Sequence, residues 1–431
     1  MNLLVKNTTE INGKVTPPAS KSQSIRAIIL ASLCEGKSVL HNVLHSDDIQ
    51  DAIRVCQSLG ATITQSGNTL TIYNTGLPLD ISSNTIESGN SGITTHFVMP
   101  LLGLRKNPDT AITLNCNEQM RARPIKSLAD SLENLGLAFD YLNNPGTLPV
   151  RISGELRGGK SSVNGVTSQY LSALLVALPC AKQDSEITVN NLQERSYADM
   201  TLDWLKEQHI QFDHQINGET DTFQIRGGQC YRPFETTIAA DFSSASYLIA
   251  AATLFSGEVI INDINMSDRQ GDKELVYILQ KMGADIAIHP THLHIRGGKK
   301  LSGIKIDAID IPDLLPTLAV IGTFASGKTE ICNVAHARIK ETDRIHSMTD
   351  GLTRMGAKII EQTDGLIIYE SHLQGTHVKG YGDHRTVMAL SLAGMLAAGT
   401  TTIDDCEAIK KTFPNFVTLM QSIGACMEVK K

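Results

Sequence analysis

The sequence predicts an α/β fold of the α+β type, two domains of three βαβαββ repeats each, and three observations lead there. A helix-to-strand junction recurs six times at near-equal spacing, every interval carries an Ala-rich helix running into a Thr- and Ile-rich strand, and the last repeat lacks its returning strand. The junction reads apolar-Gly-Ala at Leu59-Gly60-Ala61, Met282-Gly283-Ala284, Met355-Gly356-Ala357 and Ile423-Gly424-Ala425, with Leu135-Gly136-Leu137 close to it. A degenerate copy, Glu207-Gln208-His209-Ile210, fills the one gap. Taken at residues 60, 136, 209, 283, 356 and 424, the junctions lie 68 to 76 residues apart, so one supersecondary unit is repeated along the chain.

Within a repeat the elements follow from local chemistry. Residues 31–42, 101–115, 177–190, 251–262, 322–333 and 394–404 each read as the end of an apolar helix and a strand closing on Asn or Asp. Gly36, Gly257, Gly327 and Gly399 stand at the helix exits, where a residue without Cβ is favoured. A second, amphipathic helix leads to the junction, and a hairpin follows it, as in Ala61-Thr62-Ile63-Thr64 returning through Ser66-Gly67-Asn68 to Thr69-Leu70-Thr71-Ile72. The sixth repeat stops at Val429 without a return, and residues 1–15 are the only strand-like material left, so the N-terminus is expected to complete it. The domains are then residues 16–237, and residues 1–15 joined to 238–431. Two chain crossings side by side imply a hinge, a common setting for ligand sites.

Composition excludes several classes. In 431 residues, 41% hydrophobic and 19% charged content is ordinary globular composition, and a net charge of −7 argues against a nucleic-acid surface. No apolar run reaches membrane length and no signal segment opens the chain, so a cytoplasmic protein is expected. Eight cysteines without a CxxC pair fit reduced thiols. The His289, His292 and His294 group reads as a hairpin rather than a metal site, so no metal is expected.

The first helix of each repeat opens on a polar cluster: Ser20-Lys21-Ser22-Gln23, Gly89-Asn90-Ser91-Gly92, Thr167-Ser168-Gln169, Asp241-Phe242-Ser243-Ser244, Asp310-Ile311-Pro312-Asp313 and Gly382-Asp383-His384-Arg385. Helix N-termini bind anions, and capping accounts for Asp241 and Ser243. Capping does not account for Lys21, Gln169 or Arg385, because a cation opposes the helix dipole unless an anion lies there. Arg26, Arg121, Arg123, Arg195, Arg338, Lys340, Arg344, Lys410 and Lys411, read as loop residues between these helices, add to a surface suited to a multiply charged anion. The densest cluster is Ala337 to Arg344, where Lys340 and Arg344 flank Glu341 at a strand-to-helix junction. There is no GxxxxGK[ST] or GxGxxG run, so a nucleotide is not implied.

These segments resemble a known family. PASKSQSIRA at 18–27, GNSGITTHF at 89–97, ARPI at 122–125, SQYLSALL at 168–175, SSAS at 243–246, RIKETDR at 338–344, GDHR at 382–385 and KTFP at 411–414 are similar to the signatures of 5-enolpyruvylshikimate-3-phosphate synthases. The resemblance spans essentially the whole chain and implies an inside-out α/β barrel in each domain. It also implies transfer of the enolpyruvyl group of phosphoenolpyruvate to the 5-hydroxyl of shikimate 3-phosphate, with no metal or organic cofactor, by a protein expected to be monomeric. Lys21, Gly92, Arg123, Gln169, Arg344, Arg385 and Lys411 would hold phosphoenolpyruvate. Lys21, Ser22, Arg26, Thr167, Ser168, Gln169, Tyr197, Asp313, His336 and Lys340 would hold shikimate 3-phosphate. Asp313, Glu341 and Lys21 would move protons.

Four residues depart from the family pattern. Ile93 and His96 stand where Thr and Arg are usual, Glu194 where a phosphate-binding Ser is common, and His336 where Asn is frequent. Glu194 would repel phosphate unless it turns away or Ser196 takes over, and Ile93 would nudge Gly92 toward the ligand and disfavour the longer inhibitor glyphosate unless it merely packs with Phe97. UDP-N-acetylglucosamine enolpyruvyl transferases share the fold, but they carry Asn after the first Lys and a Cys five residues before the ARP arginine. Here Ser22 follows Lys21 and Cys116 lies seven before Arg123. A non-enzymatic anion-binding relative is the other alternative, against which Lys21, Asp313, Glu341 and Arg385 stand together.

Overall fold

A computed structural model describes residues 1–430. The described residues form six four-stranded sheets of one topology. In each, a short edge strand runs parallel to the strand after the first helix, and two antiparallel strands complete the sheet, supplied in five of the six by the hairpin that follows the second helix. The order in the third repeat is Gly159–Asn164, Ser185–Asn190, Thr220–Ile225, Phe212–Asn217, and the other five sheets repeat it.

The chain divides into two compact units, Met1–Ser20 with Ala239–Lys431, and Lys21–Ile238. Residues 1–15 do not all join the sixth repeat, which corrects the sequence expectation. Asn2–Lys6 does, lying antiparallel between Thr400–Ile403 and Met427–Lys430. Gly13–Val15 instead opens the fourth repeat, parallel to Glu258–Asn262. Glu235–Thr237, at the end of the third repeat, correspondingly opens the first, parallel to Glu35–His41. Each crossing segment therefore supplies an edge strand to a repeat distant in sequence.

Two kinds of helix serve two purposes. Phe242–Leu254, Leu315–Phe324 and His384–Leu396 are apolar almost all round and pack together inside their unit, where each fully buried Leu or Ile contributes about 1.5–3 kcal/mol. Lys21–Leu33, Gly92–Leu101 and Ser168–Ala177 are the equivalents in the other unit. The second helices, such as Asp47–Ser58 and Arg344–Arg354, bury one face and expose the other. No helix among the described residues is long and apolar enough to cross a membrane.

The Asn and Asp residues around the strand ends have a backbone reason in five repeats. Asn42, Asn191, Asp263, Asn333 and Asp405 all have φ between 54° and 59°, the left-handed region that Asn and Asp tolerate best after Gly; at 191, 263 and 405 this is the residue after the one on which the sequence reading closes the strand.

Candidate functional site

The inner helices are apolar over most of their length, and their N-terminal turns carry most of the candidate side chains, with Arg26 further along the first of them. In the Lys21–Ile238 unit, two of these ends meet. A Cβ added to Gly92 would lie 2.4 Å from Arg123 Nη1 and 3.3 Å from Gln169 Oε1, so a side chain there would push the guanidinium from its place. Gln169 is oriented by His96, whose Nδ1 lies 2.7 Å from its Oε1, and His96 packs edge-on against Tyr170 at 5.1 Å. The Tyr170 hydroxyl donates to the carbonyl of Pro124, which ties the Arg123 loop to the Ser168–Ala177 helix. Ile93 is 8% exposed.

Lys21 begins its helix with Nζ 3.2 Å from Asp48 Oδ2, and Ser22 is half-buried beside it. Arg26 is a helix residue and not a loop residue, which corrects the sequence reading. It is buried, donates from Nε to Thr201 Oγ1 at 2.8 Å and from Nη2 to the Tyr197 carbonyl at 3.0 Å, and stacks over Phe97. Burial pushes its pKa down to about 10, against the opposing charges of Tyr197 and Glu194. Thr167 caps the Ser168–Ala177 helix, and the donors at that end are occupied: Glu194 Oε2 accepts from Thr167 Oγ1 at 3.2 Å, from Ser168 N at 3.1 Å and from Ser168 Oγ at 3.1 Å. Glu194 therefore does not turn away from that end.

In the other unit the cluster is built on Arg344, 1% exposed at the start of its helix, which donates to three carboxylates. Its Nε reaches Asp383 Oδ2 at 2.9 Å, Nη1 reaches Asp313 Oδ1 at 2.6 Å, and Nη2 reaches Glu341 Oε2 at 2.6 Å. Arg385 Nη2 donates to Asp313 Oδ2 at 2.6 Å, so Asp313 is gripped on both oxygens. Burial pushes the Asp313 carboxyl up, but Arg385, then Arg344 and Lys340, outweigh it and hold it well below the usual carboxylate range. Arg344 is raised by Asp383, Glu341 and Asp313 against its own desolvation. His336 and Lys411 are both buried, at the 3₁₀ turns Ala335–Ile339 and Cys406–Lys411.

Some assignments move. Arg195 opens the Arg195–Glu207 helix and spends its guanidinium bidentately on Asp221 at 2.7 and 2.8 Å. Arg338 donates to Asp343, Glu361 and the carbonyls of Gln362 and Thr363, so it braces its loop. Asp343 caps its helix, as a good capping residue should. Asp241 caps the Phe242–Leu254 helix, and Ser243 hydrogen-bonds Asp272. Asp272 was not singled out from the sequence: it is 2% exposed, its Oδ1 is buried without a partner among the described residues, and burial, then the charge of Asp313, push its pKa up to about 7. Only its place in a Gly-Asp-Lys turn before the second helix could have drawn notice. His289 and His292 stack at 4.3 Å and His294 pairs with Glu258. Among the described residues no group of three or more His, Cys, Asp or Glu side chains is placed to hold a metal ion.

Comparison with known proteins bears on this arrangement. A family model described as EPSP synthase (3-phosphoshikimate 1-carboxyvinyltransferase) matches residues 5–420. A 3-phosphoshikimate 1-carboxyvinyltransferase of Acetivibrio thermocellus is 42% identical over 98% of this chain and 98% of its own. One from Methanocaldococcus jannaschii is 39% identical over 99% of each. Among solved structures, EPSP synthase from Acinetobacter baumannii matches with a TM-score of 0.83 over 100% of both chains at 24% identity. The enolpyruvyl transferase NikO from Streptomyces tendae matches with 0.80 over 99% of this chain and 98% of its own at 16% identity. At such identities the structural likeness establishes the fold.

Proposed function

Because the chain belongs to the EPSP synthase family, we propose that it transfers the enolpyruvyl group of phosphoenolpyruvate to the 5-hydroxyl of shikimate 3-phosphate and releases phosphate. The observation that carries the reading is the double grip of Arg344 and Arg385 on Asp313, which puts a carboxylate able to take a proton against two guanidiniums able to take an anion. In one unit the residues proposed for phosphoenolpyruvate are Arg344, Arg385 and Lys411, and in the other Lys21, Gly92, Arg123 and Gln169. Ser22, Arg26, Thr167, Ser168 and Tyr197, with Lys21 and Gln169, and His336, Lys340 and Asp313 of the other unit, are proposed for shikimate 3-phosphate.

The chemistry fits these groups. Protonation of the methylene carbon of phosphoenolpyruvate makes C2 cationic, the 5-hydroxyl oxygen bonds to C2 as it loses its proton, and the tetrahedral adduct expels phosphate as a methyl proton leaves. With both oxygens held by guanidiniums, Asp313 is too weak a base for the second of these events. An arriving phosphate or carboxylate competes for Arg344 and Arg385, and as they turn to it Asp313 regains basicity. The anion thus prepares the base that its own reaction needs. Glu341, bonded to the same Arg344, and Lys21 are assigned to the other proton transfers.

Phosphate release with phosphoenolpyruvate as donor, measured with shikimate 3-phosphate and separately with UDP-N-acetylglucosamine, tests the proposal. Release is expected with the first acceptor alone. Release only with the second would overturn it in favour of the related transferase, and release with neither would favour an anion-binding protein.

A further inference from the structure

Glu194 is placed in a way that the reaction does not call for. The residue is 1% exposed, and its carboxylate lies on the three donors of Thr167 and Ser168 at a helix start, the position a substrate anion would take. The backbone fixes it there. Glu194 sits at φ 55° and ψ 40°, its carbonyl accepts from Tyr197 N at 2.9 Å, and the adjoining Arg195 is clamped to the fully buried Asp221, itself 2.6 Å from His214 Nε2. The turn is thus held by contacts other than those of the Glu194 carboxylate. Its charge is also near enough to act on Arg26.

We propose that Glu194 is a resident anion that fills the acceptor-phosphate cradle of the substrate-free enzyme, is displaced by shikimate 3-phosphate, and keeps free inorganic phosphate out. The inference rests on the assignment of Thr167 and Ser168 to the acceptor's phosphate. Shikimate 3-phosphate brings its ring contacts to the exchange and can displace a carboxylate. Inorganic phosphate, a product of the reaction, brings only the contacts that Glu194 already makes.

The test is steady-state kinetics on the full chain with Glu194→Gln, which keeps the shape and removes the charge, and Glu194→Gly, which suits the positive φ and removes the side chain. Both are expected to lower the KM for shikimate 3-phosphate by about 10- to 100-fold, the worth of one charged hydrogen bond no longer competed for. The KM for phosphoenolpyruvate should stay near the parent value, and inorganic phosphate should become a competitive inhibitor against shikimate 3-phosphate. An unchanged or raised KM for shikimate 3-phosphate in both variants overturns the proposal. Ser168→Ala separates the two layers. If it raises that KM while the Glu194 variants do nothing, the cradle assignment stands and the resident anion falls. If it too leaves the KM unchanged, the cradle assignment has failed.

Discussion

Replacing Asp313 with Asn removes one charge from a set in which Arg344, Arg385 and Lys340 face Asp313, Glu341 and Asp383. Asn has a single side-chain acceptor, so one of the two guanidiniums now bonded at 2.6 Å must face an N–H group. Arg344 and Arg385 are 1% and 4% exposed, so water does not make good the loss. The stability cost should be about 3 kcal/mol, the low end for breaking a buried pair because one acceptor survives. For a unit of this size that lowers its melting temperature by about 6–12 °C. Turnover should fall by about 10²- to 10⁴-fold, as for loss of a general base. The KM for phosphoenolpyruvate should not rise, since the arginines that would bind it are released from a competing carboxylate. The sign of the pH dependence is also fixed. A carboxyl whose folded pKa is depressed gives stability above its unfolded pKa and loses it as pH falls through the folded value. The deficit of the variant should therefore be constant near neutrality and close in acid. Thermal melts at several pH values and full kinetics would check this. Near-normal turnover would remove Asp313 from proton transfer, and a raised KM at unchanged turnover would make it only an orienter of the arginines.

Asp272→Asn should act in the opposite sense with pH. Its carboxyl is raised from 3.8 to about 7, so between those values the folded chain holds a proton that the unfolded chain has lost, and wild type weakens as pH rises. About three pKa units correspond to roughly 4 kcal/mol. In urea titrations the variant should gain on wild type as pH rises from about 4 to about 7 and no further above that, and a pH-independent difference would show that Asp272 does not carry the proton. Ile93→Thr should shift the ratio of the glyphosate inhibition constant to the phosphoenolpyruvate KM, because Ile93 adjoins Gly92, whose Cα leaves so little room beside Arg123 and Gln169. An unchanged ratio would make Ile93, 8% exposed, a core residue only.

The repeat was legible because its signals are local: glycines at helix exits, an apolar helix before an Asn- or Asp-ended strand, and a period that holds along the chain. The repeat that Gly13–Val15 joins was not, nor was the strand Glu235–Thr237, since three residues carry no periodicity and their partners lie more than 190 positions away in sequence. At the candidate site, Lys21, Gly92, Gln169, Asp313 and Arg385 were legible as polar or glycine residues at the starts of largely apolar helices, and Arg344 as part of the densest charge cluster in the chain. What the sequence left open was where each charge is spent. Arg195 and Arg338 look like Arg344 in one dimension, yet Asp221, Glu361 and Asp343 claim them, and those partners are fixed only by how strands and loops meet.

Glu194 shows the same limit from the other side. Five repeats place Asn or Asp at the left-handed position just past the strand, Asn191 among them. Glu194, three residues on, takes a second left-handed conformation with a side chain poorly suited to it, which costs about 1–2 kcal/mol. Glycine or Asn would avoid that cost, so the backbone alone gives no reason for Glu. The three hydrogen bonds its carboxylate accepts at Thr167 and Ser168 can offset it. They exist only because the chain has turned that side chain inward onto a helix start. The strained backbone and the three contacts coincide at one residue, the pattern expected where a side chain is held for its position rather than for its backbone preference.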